Sequence, residues 1–321
     1  MSVYTTVEQA QLEQFLQRYE LGGALSLKPI AAGITNTNYY LETTSGSFVL
    51  TLYEHHSDDE LDYMLGLQRH LANKSLCCAA PVMDRRGDLY SSLKQRPAAI
   101  IHRIQGQVQT HPGPEHCARI GEELARFHLA GRDFQLDRRN PRGIEWLLAV
   151  GDMLDSELSH EDRQLFYGTL RDFQALDNST LPSGAIHADL FHDNALFVGD
   201  ELSGIIDFDY ACYDSFIFDI AVLLNDWCID SGAGFQESLV TEILDGYQRQ
   251  RRLSRAEISA LPLMLRLGAL RFWFSRLYDK VYPLSGELTF IKDPDLFRDM
   301  LAARSEQAER LERLFLPHYM E

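Results

Sequence analysis

The feature that most restricts how this chain can fold is a short β-hairpin lodged in a half that otherwise reads as helical. Residues 195–198 and 202–207 have strand character and are joined by the turn pair Gly199-Asp200. His187-Ala-Asp-Leu-Phe-His-Asp-Asn194 leads into the first strand, and Ile205-Ile-Asp-Phe-Asp209 closes the second. Asn194 and Asp207 therefore sit near the ends of one small hairpin, with Asp189 on the loop just before it. Asp189 can accept a proton from an alcohol, while Asn194 and Asp207 can hold a hard cation such as Mg²⁺ through oxygen ligands. A metal that bridges phosphate oxygens beside a base that orients a hydroxyl is the centre of a phosphoryl-transfer site.

The same residues admit other readings. His187, Asp189 and His192 cluster as ligands do in metal-dependent phosphohydrolases, yet the further His or Asp pair at helical spacing that such a site wants does not stand out. They also read as turn residues with a satisfied histidine. Asp219, inside Phe216-Ile-Phe-Asp-Ile-Ala, reads as structural, because an acid near the start of a helix caps it or braces the loop beside the site.

With 321 residues, 45% of them hydrophobic, the chain can bury the core of one large domain or of two lobes. Its formal net charge of −17 argues against nucleic acid and against an anionic membrane surface as partners. Cys77, Cys78, Cys117, Cys212 and Cys228 are odd in number and lack metal-ligand spacing, which fits reduced thiols in a cytoplasmic protein. Glu8, Glu13, Arg18 and Glu20 do not suit a signal peptide, and no apolar run is long enough to span a bilayer.

Along the chain, residues 6–19 read as a helix, 25–30, 39–43 and 48–53 as strands, 58–72 as a helix, and 82–104 as further strands around a turn at Arg86-Gly87-Asp88. From Pro114 the pattern is mostly helical. Cys117, Ile120, Leu124 and Phe127 line one face, and Ser159-x-x-Asp162 looks like a capping box for a helix through 176. Helices are expected again over 217–227, 237–250 and 262–278, and a last one from Asp293-Pro294. A β-rich N-terminal lobe over 1–103 and a larger, mostly helical lobe over 104–321 make the chain α+β.

Two earlier segments bear on a nucleotide. In Gly33-Ile-Thr-Asn-Thr-Asn38, between two strands, backbone N–H groups and small side chains can wrap phosphates, though such residues also mark ordinary hairpin turns. Pro97-Ala-Ala-Ile-Ile-His-Arg-Ile-Gln-Gly106 is a strand running into a Gly-containing connection, where backbone can meet a flat base or simply be buried.

In this order, the Gly loop, the hinge strand, His187-x-Asp189 with Asn194, and Ile206-Asp-Phe208 resemble the protein-kinase-like fold of aminoglycoside phosphotransferases and choline kinases. More narrowly the chain resembles the homoserine kinases of that fold. That likeness rests on Thr35-Asn-Thr-Asn-Tyr39, Phe48-Val-Leu-Thr-Leu-Tyr-Glu54, the 187–194 motif, Asn225-Asp-Trp-Cys228 and Arg271-Phe-Trp-Phe-Ser-Arg-Leu277. The resemblance implies a bilobal kinase-like fold and ATP-dependent phosphorylation of the L-homoserine hydroxyl, on the route to threonine. It places the ATP phosphates under Gly33, Thr35, Asn36 and Asn38, and adenine against His102, Arg103 and Ile104. It gives Mg²⁺ to Asn194 and Asp207 and the acceptor hydroxyl to Asp189, with His187 supporting the loop. Choline, a sugar or an aminoglycoside as acceptor, or a non-catalytic nucleotide-binding module, are the alternatives.

One position departs from the wider fold. Where kinase-like proteins carry a third-strand lysine for the α- and β-phosphates, this chain has Thr51. Losing one preorganised cation costs on the order of 10²–10³ in rate unless something replaces it. Glu60, a helical glutamate of the kind that pairs with such a lysine, has no assigned role. For the acceptor, Asp226 suits an ammonium and Arg271 or Arg276 a carboxylate, against the alternative of core aromatics and structural ion pairs.

Overall fold

A computed structural model of the chain describes residues 5–30, 35–230, 234–283 and 292–318. They divide into two units, the first running to Gln105 and the second beginning at Gly106. The first unit holds α1 (Gln9–Leu16), β1 (Ala24–Pro29), β2 (Thr37–Thr43), β3 (Gly46–Leu52), α2 (Asp58–Asn73), β4 (Ser91–Leu93) and β5 (Arg96–His102). Its five strands form one antiparallel sheet in the order β1-β2-β3-β5-β4. Alternation along β3 divides the hydrophobic residues between two cores. Leu50 and Leu52, with Tyr39, Leu41, Ala98 and Ile100, pack with Leu12, Phe15 and Leu16 of α1. Tyr53 and Ala99 pack with Leu61, Met64 and Leu65 of α2. Glu60 acquires a role here: its carboxylate accepts the Ser57 N–H at 3.0 Å while Ser57 Oγ accepts the Glu60 N–H, a capping box that starts α2.

The second unit contains β6 (Gln107–Val108), α3 (Pro114–Ala130), α4 (Ile144–Leu154), α5 (His160–Ala175), β7 (Ser183–Ile186), β8 (Ala195–Val198), β9 (Glu201–Ile205) and β10 (Cys212–Ser215). It continues with α6 (Phe216–Trp227), α7 (Glu237–Gln248), α8 (Arg255–Val281), α9 (Asp295–Glu306) and α10 (Ala308–Phe315). The expected hairpin is present as β8–β9, extended by β6 into a three-stranded sheet. The Ser159–Asp162 capping box opens α5 as expected.

The helix expected from Pro262 instead begins at Arg255, behind a Ser254–Glu257 capping box, and carries Pro262 in its interior. Proline there forfeits one backbone hydrogen bond. Burial of Leu261, Met264 and Leu265 around it keeps the helix continuous. The terminal helix is two segments, separated at Gln307. Helix α4 and the β7–β10 ladder were not legible in the sequence, because four-residue strands paired across more than twenty intervening residues carry no periodic signal. No helix among the described residues is long and apolar enough to cross a membrane.

Helices α3 and α7 approach at glycine. A Cβ on Gly121 would run into the Ile243 carbonyl, and one on Gly246 into the Ala118 carbonyl. Gly121→Ala is therefore expected to destabilise the protein by about 1–3 kcal/mol, read as a lower denaturation midpoint with unchanged m-value.

Candidate active site

Strand β7 ends at Ile186, and the chain then turns sharply through Ala188, a non-glycine residue at φ 63°. Such a conformation costs on the order of 1 kcal/mol and needs an external partner. The partner is Asp219 in the first turn of α6, fully buried, whose two carboxylate oxygens accept the backbone N–H groups of His187 at 2.9 Å and Ala188 at 2.7 Å. The bracing role expected of Asp219 is what the structure shows. Burial alone would raise the Asp219 carboxyl, but its bonds to His128 and to the loop hold it below the ordinary carboxylate range.

Behind Asp219 lies a buried chain of polar groups. His128 Nε2 lies 3.0 Å from Asp219, and His128 Nδ1 lies 2.7 Å from the Tyr247 hydroxyl. Burial lowers the His128 pKa and raises that of Tyr247, so the imidazole is neutral and the phenol keeps its proton. Nε2–H thus donates to the carboxylate while Nδ1 accepts from Tyr247. Arg251 donates to Tyr247 at 3.1 Å and pairs with buried Glu257 at 2.8 Å. Sequence reasoning missed His128 and Tyr247; on an apolar helix face they read as core.

His187 lies buried at the start of the loop. Burial keeps its imidazole neutral. Its Nε2 bonds the Ile206 carbonyl at 3.0 Å and its Nδ1 accepts the Asp189 N–H at 3.3 Å. Ile206 N–H in turn donates to the Asn194 carbonyl at 3.0 Å, and Trp227 Nε1–H to the Leu190 carbonyl at 3.1 Å. The loop is thus tied to the hairpin on one side and to α6 on the other.

Asp189, Asn194 and Asp207 are brought together by these ties. Asn194 Nδ2 donates to the Asp189 carbonyl at 2.8 Å and faces its carboxylate at 3.4 Å. Asp207 stands at φ 63° just beyond β9, its carboxylate meeting the Asp209 N–H at a long 3.4 Å. Burial pushes the Asp189 pKa up to about 7, with Arg271 opposing and Asp207 adding to the rise. Asp207 is an exposed residue, and its carboxyl is also pushed up to about 7, by desolvation and then by Asp209. Carboxylates that resist ionisation alone favour a cation. Among the described residues no group of three or more His, Cys, Asp or Glu side chains forms a closed metal cage. One carboxylate and one amide oxygen are instead the partial ligand set that suits Mg²⁺ completed by phosphates.

The acceptor-side candidates separate. Arg271, buried in α8, has Nη1 3.4 Å from Asp189 Oδ1. Asp226 accepts both the backbone N–H and Nδ1 of His192 at 2.7 Å, a bond that raises the His192 pKa. Arg276 donates to the Asp293 carbonyl at 2.9 Å and covers the Phe297 ring at 4.4 Å. Asn225 and Trp273, from the motifs that narrowed the resemblance, are buried framework, and Asn225 donates to the Leu265 carbonyl at 2.8 Å.

In the first unit, Gly33 lies outside the described residues. Thr35 is half-buried and Asn36 buried at the head of β2. The Thr51 hydroxyl donates to Asn38 Oδ1 at 2.7 Å, so a neutral polar pair occupies the position of the fold's lysine. His102 and Arg103 donate their N–H groups to the Ala80 and Ser47 carbonyls, and the Arg103 guanidinium lies 4.1 Å over Tyr40. Ile104 follows, half-buried, just past the end of β5.

A carboxylate on a braced loop, beside an amide and a second carboxylate, is the kind of grouping phosphoryl transfer calls for. The model of the phosphotransferase enzyme family APH matches residues 26–253, and the chain belongs to that family. Similar curated proteins include homoserine kinases. That of Methylobacillus flagellatus is 44% identical over 94% of both chains, and that of Neisseria meningitidis serogroup B is 42% identical over 94% of this chain and 99% of its own. Among solved structures, an amicoumacin kinase covers 96% of this chain and 94% of its own at TM-score 0.72 and 20% identity. An ethanolamine kinase of Plasmodium vivax covers 89% and 84% at TM-score 0.61 and 15% identity. Those two likenesses establish the kinase-like fold.

A divalent cation and protons compete for the paired carboxylates. At low Mg²⁺, kcat/KM should rise with pH through about 7 as Asp189 and Asp207 ionise. Raising Mg²⁺ should move that inflection to lower pH, as read from pH–rate profiles at two metal concentrations.

Proposed function

We propose that this protein transfers the γ-phosphoryl group of ATP to the hydroxyl of L-homoserine, giving O-phospho-L-homoserine for threonine synthesis. The observation that carries the reading is the assembly of Asp189, Asn194 and Asp207 in a chain 44% identical, over nearly its whole length, to a homoserine kinase. Asp189 orients the acceptor hydroxyl and takes its proton late, because a loose phosphoryl transition state asks mainly for positioning and charge neutralisation. Mg²⁺ on Asn194 and Asp207 would neutralise charge on the phosphate oxygens. Gly33, Thr35, Asn36 and Asn38 are assigned to the phosphates, and His102, Arg103 and Ile104 to the base. Arg271, beside Asp189, is assigned to the amino acid's carboxylate. Five scattered cysteines without metal-ligand spacing accord with a cytoplasmic enzyme.

Asp189→Ala should lower kcat by at least ~10²-fold while ATP still binds in calorimetry, and near-normal turnover would sink the mechanism. In an ADP-release assay over homoserine, choline, sugars and an aminoglycoside, homoserine should give the highest kcat/KM. Silence with homoserine, or Mg²⁺-independent ADP release, would overturn the assignment.

A further inference from the structure

We infer that a second guanidinium, Arg142, joins Arg271 against the ring of Tyr210 to clamp the acceptor's carboxylate. This rests on the homoserine reading above and supplies its specificity determinants.

The Arg271 guanidinium carbon lies 3.7 Å from the Phe272 ring centroid and 4.6 Å from that of Tyr210. Arg142, on the turn before α4, reaches the same tyrosine at 5.7 Å and stacks on Trp146 at 4.3 Å. Two like charges therefore converge on one aromatic ring. Burial lowers the Arg271 pKa, Asp189 and Tyr210 oppose that, and Arg142 lowers it further. The carboxylate on Arg271 is Asp189 at a long 3.4 Å, and among the described residues no carboxylate stands within 4.0 Å of the Arg142 guanidinium. In a chain of formal charge −17, a guanidinium pair short of carboxylates is a site kept for an anion. Planar forks fixed on aromatic faces match a carboxylate and lose little rotamer freedom in gripping it.

The clamp's place identifies that anion. Arg271 touches the carboxylate proposed to take the alcohol's proton, so an anion held there lies one short molecule away from the reacting hydroxyl. Homoserine, with a brief carbon chain between hydroxyl and carboxylate, has that reach. Tyr210 follows Asp207 by three residues, so one loop carries both a metal ligand and the clamp's platform. Asp226 and Arg276, by contrast, are engaged by His192 and by the Asp293 carbonyl.

The test compares homoserine with 3-aminopropan-1-ol, which lacks the carboxylate, and with 4-hydroxybutanoate, which lacks the ammonium. Arg142→Met should lower kcat/KM for homoserine roughly 10- to 100-fold, mainly through KM, and leave 3-aminopropan-1-ol and the KM for ATP unchanged. Arg142→Lys, which keeps charge but not the fork, should show a smaller loss in the same direction and serves if the Met variant does not fold. 4-Hydroxybutanoate, which keeps the carboxylate, should lose with homoserine in Arg142→Met. Equal losses on homoserine and 3-aminopropan-1-ol, or unchanged discrimination in an active wild type, would overturn the clamp alone. A wild type inert toward homoserine would overturn the function and the clamp together.

Discussion

Two backbone N–H groups, from His187 and Ala188, converge on the buried Asp219 carboxylate, and the path of the chain beyond them follows from that contact. A left-handed alanine is unfavourable by itself; two charge-assisted hydrogen bonds in a dry interior outweigh the cost. The carboxylate is held in turn by His128 of α3 and, through it, by Tyr247 of α7 and by Arg251 just past α7, on helices that meet closely because Gly121 and Gly246 have no side chains. The loop is thus fixed from behind by packed helices. Rigid support of this kind is what a reaction dependent on positioning requires.

On the open side of the loop the electrostatics run the other way. Asp189 and Asp207 are both raised to about 7, so the fold by itself does not favour their ionised forms. Arg271 is the cation that the fold itself brings to Asp189. In the first unit, Thr51 bonded to Asn38 offers polarity without charge.

The legibility of the chain in its sequence follows the range of each interaction. The β8–β9 hairpin and the capping boxes at Ser159 and Ser57 are encoded within a few residues, so turn and cap chemistry predicts the first two and accounts for Glu60. Pro262 misled, since local propensity marks it as a helix start while buried leucines carry the helix through it. The β7–β10 ladder, His128 against Tyr247, and Arg142 against Tyr210 join residues far apart in the chain. No local pattern announces them.

The sequence by itself determined that Asp189, Asn194 and Asp207 lie on one strand–loop–hairpin segment, because strand and turn chemistry is local. The tertiary structure alone decided how that loop is held and which of the distant candidates stand beside it. There Arg271 turns to Asp189, and Asp226 to His192, because α6 and α8 pack beside the loop at distances and angles that side-chain identity does not specify.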